Sequence, residues 1–279
     1  MSDGPMLGRF RVSTFVLSEA RDTVYNGSTR EDNPLSERTT IHVPLLMVDY
    51  RVTTRIGLQA TIAVPLISRT GTVVGIGGTT PFRDEVRGLG DTNVGVWYHG
   101  GNPLRWHWTV NGGLSLPTGQ TRAPRFRAEL SGGSLVPLSR LQSGSGTIDP
   151  TVGVAVEHKA YGGRWVSSVA ARLPMAENAD GLRVGVSSEL GTSWAHEVLT
   201  HRVMGYGRIG WLRREQDVFQ GTPVLVGGGD WLYVTPGVGV LVGHGLNVQA
   251  DVKLPLYRRL ANRQLDSHAI FEFGVSRQF

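Results

Sequence analysis

Histidine and glutamate residues in the second half of the chain are the first candidates for chemistry. His196, Glu197 and His201 come close to the H-E-x-x-H zinc motif, but His201 lies one residue too far along to share a helical face with His196. The segment is also predicted to be a turn between two strands. We therefore expect these three residues to be polar turn residues and not metal ligands.

A serine hydrolase needs a serine, a histidine and an acid or amide that converge from neighbouring strands. Ser115 and His107 are of suitable types, but the sequence has no G-x-S-x-G motif. The glycine-rich runs lack the strand, loop and helix context of a phosphate cradle. The chain also has no cysteine for a thiolate catalyst, a zinc–thiolate site or a disulfide. The sequence predicts no catalytic residue, no metal ligand and no cofactor.

Polar residues instead recur at every second position, which is the pattern of β-strands with one apolar and one polar face. In the clearest strand the apolar positions are Leu246, Val248, Ala250, Val252, Leu254 and Leu256, and the polar ones are Asn247, Gln249, Asp251, Lys253 and Tyr257. Near the end of the chain Phe271, Phe273, Val275 and Phe279 share one face. Such strands pack the apolar face on a core or turn it toward lipid. An aromatic strand at the end of the chain resembles the closing strand of an outer-membrane barrel, which favours lipid.

Twelve strands of this kind are predicted, and the connections between them alternate in length. The connections after the odd-numbered strands are long, at 20–36, 67–87, 118–146, 176–181, 214–229 and 258–265. Tight turns follow the even-numbered strands, as in bacterial barrels with short periplasmic turns and long extracellular loops. The sequence therefore predicts an all-β fold, a single transmembrane antiparallel up-and-down β-barrel of about 12 strands. It spans residues 1–279, with an N-terminal tail at 1–8.

Composition and charge exclude two other classes of protein. No apolar run approaches the roughly 18 residues of a transmembrane helix, so a membrane-spanning form must use strands. The formal net charge is +5, but lysine and arginine are scattered singly and form no stripe. This distribution indicates a basic lumen or rim and no nucleic-acid partner.

A Gram-negative outer membrane is the predicted location. The expected partners are membrane lipids, a small-molecule solute and the outer-membrane assembly machinery, which would recognise the C-terminal strand. Export requires a leader, yet the residues from Met1 to Pro5 have no apolar h-region. We therefore expect this sequence to be a mature chain in which a methionine replaces the leader.

The inward faces of the predicted strands present charged side chains of both signs. In the second strand Ile41, Val43 and Leu45 are expected to face lipid, which places Arg38 and His42 in the lumen. The candidate lumen and constriction residues are Arg38, His42, His107, Arg122, Arg125, Arg127, Glu157, Arg172, Arg183, Glu189, Arg202, Arg208, Asp251, Lys253 and Glu272. They either pair across the lumen and solvate it or line a polar path for a solute.

The connection 118–146 is predicted to be a long extracellular loop that folds partly inward. It mixes arginines with apolar residues such as Phe126 and Leu130, a composition too apolar for a freely solvated segment. Inside the mouth it would narrow the lumen, and its arginines would favour a carboxylate or phenolate group. Alternatively, it is a lid that packs on neighbouring loops without a ligand.

Four prolines fall near the loop ends of outgoing strands, Pro65, Pro117, Pro174 and Pro255. Proline cannot donate to a β-ladder, so it belongs at strand ends or bulges. These residues either mark where the barrel wall ends or weaken the wall enough for a bulge or a side opening.

Five ordered segments point to one bacterial family, and they occupy 88–100, 112–121, 145–157, 235–242 and 251–265. Together they resemble the outer-membrane β-barrel family associated with the MetA pathway of phenol degradation. The resemblance implies an outer-membrane barrel and the passage of small aromatic or hydrophobic compounds. It transfers strand and turn motifs and no catalytic residue.

The predicted function is that of a passive outer-membrane channel or transporter for small molecules and not that of an enzyme. Two alternatives stay open. One is a barrel enzyme that acts on lipid or envelope substrates, and the other is a structural barrel with a plugged lumen. Conductance in planar bilayers separates a channel from a plugged barrel, and a phospholipid hydrolase assay tests for the enzyme.

Overall fold

The computed structural model describes residues 9–75, 78–102, 105–121, 125–127, 135–137, 142–160, 162–199, 202–224, 227–243 and 245–279. The predicted tail at 1–8 lies outside these ranges. Among the residues described, no helix is long and apolar enough to cross a membrane.

Twelve antiparallel strands form a closed barrel. They are β1 (Phe10–Asn26), β2 (Arg38–Arg51), β3 (Ile56–Ala63), β4 (Thr92–Asn102), β5 (Trp106–Leu116), β6 (Asp149–Ala160), β7 (Gly163–Arg172), β8 (Ser187–Leu199), β9 (Val203–Arg214), β10 (Gly229–Gly243), β11 (Leu246–Leu260) and β12 (Gln264–Gln278). The predicted barrel of about 12 strands is confirmed.

The barrel closes because β1 pairs with β2 along one edge and with β12 along the other. The β1–β12 seam runs from Arg11 opposite Gln278 to Tyr25 opposite Gln264. A closed ring has no free strand edge, and every strand finds a backbone partner on both sides.

In the described part of the chain, eight further strands lie outside the ring. Thr29–Glu31 pairs with the end of β1, and Leu66–Gly75 pairs with Gly78–Arg87 to form a hairpin that we call the outer hairpin. Arg125–Arg127 pairs with Leu135–Pro137. Leu182–Arg183, Val218–Phe219 and Thr222–Pro223 form a small three-stranded sheet.

The two ends of the barrel differ in how the strands are joined. At the end that we call the turn end, the connections occupy 52–55, 103–105, 161–162, 200–202 and 244–245. At the opposite loop end they occupy 27–37, 64–91, 117–148, 173–186, 215–228 and 261–263. The alternation matches the prediction except at the last connection, which is short.

Most residues on the outside of the wall are apolar, and most of those that line the inside are polar. Leu58, Leu190 and Phe271 on the outer face are 47%, 61% and 59% exposed. Asp49 and Gln249 on the inner face are buried. A water-soluble domain has the opposite arrangement, so this surface suits a lipid environment.

The alternation of apolar and polar residues predicted the outward and inward faces correctly for strands in which one face is apolar and the other is polar. On β4, Val96 and Tyr98 point outward, while Trp97 and His99 point into the barrel and line a cavity. The predicted faces of β3, β5 and β12 are placed correctly in the same way.

The prediction for β2 was wrong. Asp49 contacts Arg11 inside the barrel, so the odd-numbered residues of β2 face inward, and Arg38 and His42 lie on the outer face. There His42 Nδ1 is 2.9 Å from Ser18 Oγ on β1. Both faces of β2 are largely apolar, and the pattern of hydrophobicity therefore could not decide which face is inside.

Five predicted connections contain strand residues. The small strands given above lie in 118–146 and 214–229, and the other three connections depart further from the prediction. β1 continues to Asn26 and pairs with β12, although 20–36 is polar enough to resemble a loop. The outer hairpin replaces the predicted loop 67–87, whose Thr and Val residues favour strands despite the surrounding glycines. Of 258–265, only 261–263 is a connection, because Leu260 packs on Trp231 and Tyr233 and extends β11.

One proline lies at a bulge within the wall and not at a strand end. The β10–β11 register shifts where Tyr233 pairs with Pro255 and Leu232 pairs with Tyr257, which leaves Leu256 as an extra residue. The bulge turns Tyr257 to the outer face, where its ring lies 6.3 Å from that of Trp211. The prediction that Tyr257 belongs to the polar face was therefore wrong.

Candidate functional site

The barrel interior is the candidate site, and two adjoining cavities lie among its described residues. Cavity A has a volume of about 260 Å³ and lies toward the turn end. Cavity B has a volume of about 250 Å³ and lies near the middle of the barrel. Val166, Ser193 and Arg208 line both cavities, so these three residues form the boundary between them.

Cavity A is polar because an ion pair and several hydrogen-bonding side chains line it. The guanidinium of Arg11 donates to Oδ2 of Asp49 from Nε at 3.0 Å and from Nη2 at 2.8 Å. Across the cavity His107 Nδ1 is 3.8 Å from Glu157 Oε1, and Arg164 Nη1 is 3.7 Å from the other oxygen of Glu157. The charges are thus paired near the wall.

An aromatic surface forms the rest of cavity A. The ring of His99 lies 4.2 Å from that of Trp97 and 5.5 Å from that of His107. His99 Nδ1 is also 2.6 Å from Thr109 Oγ1, which orients the imidazole. These rings give a solute an apolar and polarisable surface beside the charged groups.

Glycine residues let the inward aromatic rings lie flat against the wall. Trp97 pairs across the strands with Gly57, Tyr206 with Gly237, and Phe15 with Gly274. A Cβ atom at any of these three glycines would overlap the neighbouring ring. The rings therefore cover the glycine backbone and do not stand across the lumen.

Cavity B contains a network of charged side chains. Glu189 accepts a hydrogen bond from Arg208 Nη2 at 2.9 Å, and Lys253 Nζ lies 3.8 Å from the same oxygen. Tyr206 donates its hydroxyl to Asp251 at 2.7 Å. The lysine nitrogen also lies 4.4 Å from the centre of the Tyr233 ring. Arg208 is thus fixed from the cavity B side, although it also borders cavity A.

A third group of polar residues, the mouth cluster, holds the base of the connection 117–148 at the loop end. It comprises Asp91, Ser145, Thr147, Asp149 and Arg172. Asp91 accepts from the backbone nitrogen and the hydroxyl of Ser145, both at 2.8 Å, and from Arg172 Nη2 at 3.1 Å. Asp149 accepts from Arg172 Nη2 at 2.5 Å and from Thr147 Oγ1 at 2.6 Å. The cluster ties residue 91, residues 145–149 and the end of β7 together.

The mouth cluster also explains three of the ordered sequence segments. Asp91 belongs to 88–100, and Gly119, whose nitrogen donates to Asp91 at 3.3 Å, belongs to 112–121. Ser145 and Asp149 belong to 145–157. Segments that are far apart in the sequence therefore meet at a single set of buried carboxylates.

The structure brings together most of the predicted lumen residues. His107, Glu157, Glu189, Arg208, Asp251, Lys253 and Glu272 line the two cavities, and Arg172 belongs to the mouth cluster. Arg183 lies in the small three-stranded sheet at the loop end, and Arg202 is exposed in the turn before β9. Arg122 lies outside the described residues, and Arg125 and Arg127 are described by their backbone alone.

Asp49, Trp97 and Tyr206 are cavity residues that the predicted list lacks. The inverted faces of β2 concealed Asp49. Trp97 and Tyr206 stand on inward positions, but their glycine partners are recognisable only once the strand register is known. The alternation of apolar and polar residues therefore identifies which aromatic residues point into the barrel. It does not show whether their rings lie against the wall or stand across the lumen.

Among the described residues, the structure does not bring together the serine and histidine that were considered for a hydrolase. Ser115 and His107 share the inward face of β5 but are eight residues apart, about 27 Å along the strand. His196 and Glu197 lie near the turn end of β8, and His201 is outside the described residues. Within the described part of the chain, no group of three or more His, Asp or Glu residues is arranged to hold a metal ion.

No protein-family model and no curated protein matches this sequence. Solved structures do match. An outer-membrane channel from Pseudomonas putida F1 is 13% identical and has a TM-score of 0.74, and the alignment covers 100% of this chain and 99% of the channel.

Two other outer-membrane barrels match less closely. The β domain of the Bordetella autotransporter BrkA is 13% identical with a TM-score of 0.51, over 97% of this chain and 100% of that domain. The Pseudomonas putida toluene transporter TodX is 10% identical with a TM-score of 0.50, over 98% of this chain and 90% of that protein. At these identities the likeness concerns the fold alone, and the fold of this chain is that of a twelve-stranded outer-membrane β-barrel.

Proposed function

We propose that this chain is a passive channel for small molecules in a Gram-negative outer membrane. The observation that carries the proposal is the pair of adjoining cavities inside the barrel, of about 260 and 250 Å³, which share Arg208 at their boundary. A barrel filled by its own side chains would have no such series of spaces along its axis.

The chemistry of the cavities supports a small solute with an aromatic body and a polar or anionic group. An apolar cavity of about 150 Å³ is large enough to bind benzene, so each cavity has room for a one-ring compound. Trp97, His99 and Tyr233 offer ring surfaces, while Arg208 and Lys253 offer donors for a carboxylate or phenolate.

The comparisons support the same solute class. TodX is by name a toluene transporter, and the structure from Pseudomonas putida F1 is by name a channel. The ordered segments, which resemble the barrel family associated with phenol degradation, suggest aromatic compounds on independent grounds.

In the proposed orientation the turn end faces the periplasm and the loop end faces the cell exterior. Short turns and long loops are distributed in this way in bacterial barrels. Membrane lipids then contact the outer face, and the outer-membrane assembly machinery is expected to recognise β12 during insertion.

The connection 117–148 is proposed to narrow the extracellular mouth. The mouth cluster holds its base, because Asp91 binds the backbone of Gly119 on one side and that of Ser145 on the other. Both ends of the connection are therefore anchored at the same carboxylate at the loop end of the barrel. Much of the segment, including Arg122, lies outside the described residues.

Conductance across planar lipid bilayers tests the channel, with purified full-length protein. We expect discrete conductance steps, and we expect Arg208→Ala to raise the single-channel conductance and reduce the preference for anions, because it removes a cationic side chain at the boundary between the cavities. The change should cost little stability, about 0 to 1 kcal/mol, since the Arg208–Glu189 pair is partly exposed.

Arg213→Ala is the matched control, because Arg213 is an exposed arginine of the same strand on the outer face. It should leave the conductance unchanged. A wild-type barrel that inserts but never conducts would instead support the plugged-lumen alternative. Uptake of benzoate into vesicles, compared with that of a neutral sugar of similar size, tests the solute class.

A further inference from the structure

The outer face of β2 and the outer hairpin presents arginine and hydroxyl side chains at the loop end of the barrel. Three strands lie side by side there, and their register gives rows of outward side chains. The rows are Arg38, Thr70 and Arg83, then Thr40, Ser68 and Glu85, then His42, Leu66 and Arg87. We call these residues the arginine face.

One carboxylate holds two of the arginines in place. Glu85 Oε1 accepts from Arg83 Nη2 at 2.6 Å and from Arg83 Nε at 2.9 Å, and Glu85 Oε2 accepts from Arg87 Nη2 at 3.0 Å. The side chains of Arg83 and Arg87 are nevertheless 69% and 72% exposed. Glu85 thus orients two largely exposed guanidinium groups, and its single negative charge balances only one of their two positive charges.

The face lies at the upper boundary of the apolar band. Tyr50 lies eight positions after His42 on β2. This spacing corresponds to about 27 Å along the strand and about 20 Å along the axis of a barrel with strands tilted about 40°. Leu46 and Leu58 lie outward below the face and are exposed. Since the apolar band of such barrels is about 25 Å tall, His42 lies near its edge and Arg38 about 10 Å above His42.

We infer that the arginine face binds the phosphorylated headgroup of an outer-leaflet lipid. Arginine forms bidentate hydrogen bonds with phosphate oxygens, and its weak hydration suits a site at the membrane boundary. Thr70 and Ser68 lie between the arginine-bearing strands and supply hydroxyl donors. The acyl chains of the same lipid would run down the apolar outer face past Leu66 and Leu46.

The inference requires that the barrel lie in an outer membrane, and it does not require that the barrel conduct. A barrel that binds the lipid but shows no conductance would therefore contradict the proposed channel alone. The occupant is specified by its chemistry as a membrane glycolipid with phosphate groups on its sugar headgroup.

Native mass spectrometry of the full-length protein tests the inference, with bisphosphorylated lipid A as the probe and dephosphorylated lipid A as its uncharged counterpart. We expect the wild-type protein to retain the bisphosphorylated lipid at least about tenfold better than the dephosphorylated one, which corresponds to about 1.4 kcal/mol. We expect the double variant R83Q/R87Q to lose most of this preference.

The matched control is R55Q/R105Q, which removes the same charge from exposed arginines at the turn end. It should leave the lipid preference unchanged. Heat-modifiable migration verifies that both variants fold, because all four side chains are exposed. Equal retention of the two lipids by the wild-type protein, or an unchanged preference in R83Q/R87Q, would overturn the assignment.

Discussion

At the scale of single residues, the shape of the lumen depends on glycines as much as on the side chains that line it. Gly57 lies directly across from Trp97, and the indole ring covers the position that a Cβ atom would occupy. The ring therefore lies along the wall, and cavity A keeps its volume. Polar residues give the cavity its chemistry, whereas the glycine gives it room.

Replacing Gly57 with alanine is expected to move the Trp97 ring away from the wall and into cavity A. The overlap should destabilise the barrel by about 1 to 3 kcal/mol, as overpacking does in other well-packed sites, and the conductance should fall. Urea unfolding in lipid vesicles measures the first effect, and planar bilayers measure the second.

Gly112→Ala is the control for this substitution, because no atom lies within 4 Å of the Cβ position at Gly112. Both quantities should be close to those of the wild type. If Gly57→Ala behaves like Gly112→Ala, the glycine does not determine how Trp97 lies.

At the scale of the strands, each element has one face for lipid and one face for the lumen. β3 illustrates the division, because Leu58 is exposed on the outside while the neighbouring Gln59 lines cavity A. A pairing shift of one residue would exchange the two faces, and the register of such a strand is therefore strongly determined.

A lysine substitution on each face measures this division directly. Leu58→Lys is expected to destabilise the barrel by about 1 to 2 kcal/mol, because a charge would then face the hydrocarbon. The cost is below the about 2 to 4 kcal/mol of a midplane position, since Leu58 pairs with Tyr50 toward the turn-end edge of the apolar band. Gln59→Lys should have a small effect, because the new charge would face the polar lumen. Reversible folding into vesicles at several urea concentrations gives both values, and equal costs would contradict the placement of β3 in a membrane.

At the scale of the whole molecule, stability depends on closing the ring between the first and last strands. Beyond the β1–β12 ladder, the backbone nitrogen of Phe279 donates to the oxygen of Phe10 at 2.8 Å, and the reciprocal bond is 3.4 Å. The two rings lie 6.5 Å apart. These contacts extend the seam to the turn end of the barrel.

Deletion of Phe279 is expected to lower the amount of heat-modifiable barrel recovered from outer membranes, because it removes both backbone bonds and the ring contact. Phe279→Leu keeps the backbone bonds and an apolar side chain, and it should assemble better than the deletion. Equal recovery of the deletion and the wild type would show that the seam closes without this residue.

The sequence by itself determined the class of fold, the number of barrel strands and the direction of most side chains. Strands such as β4 and β12 have one apolar and one polar face. In a membrane barrel the apolar face of such a strand must contact lipid, and the polar face must line the lumen. The candidate list therefore included most of the charged residues of the lumen, from His107 on β5 to Glu272 on β12.

Only the tertiary structure decided the remaining features, because they depend on contacts between distant residues. The faces of β2 followed from the pairing of Asp49 with Arg11, and the direction of Tyr257 followed from a bulge. The mouth cluster joins Asp91 to Ser145 across 54 residues. Local periodicity contains no information about which partner a strand meets, and in a closed barrel the partner determines the register, the bulges and the buried ion pairs.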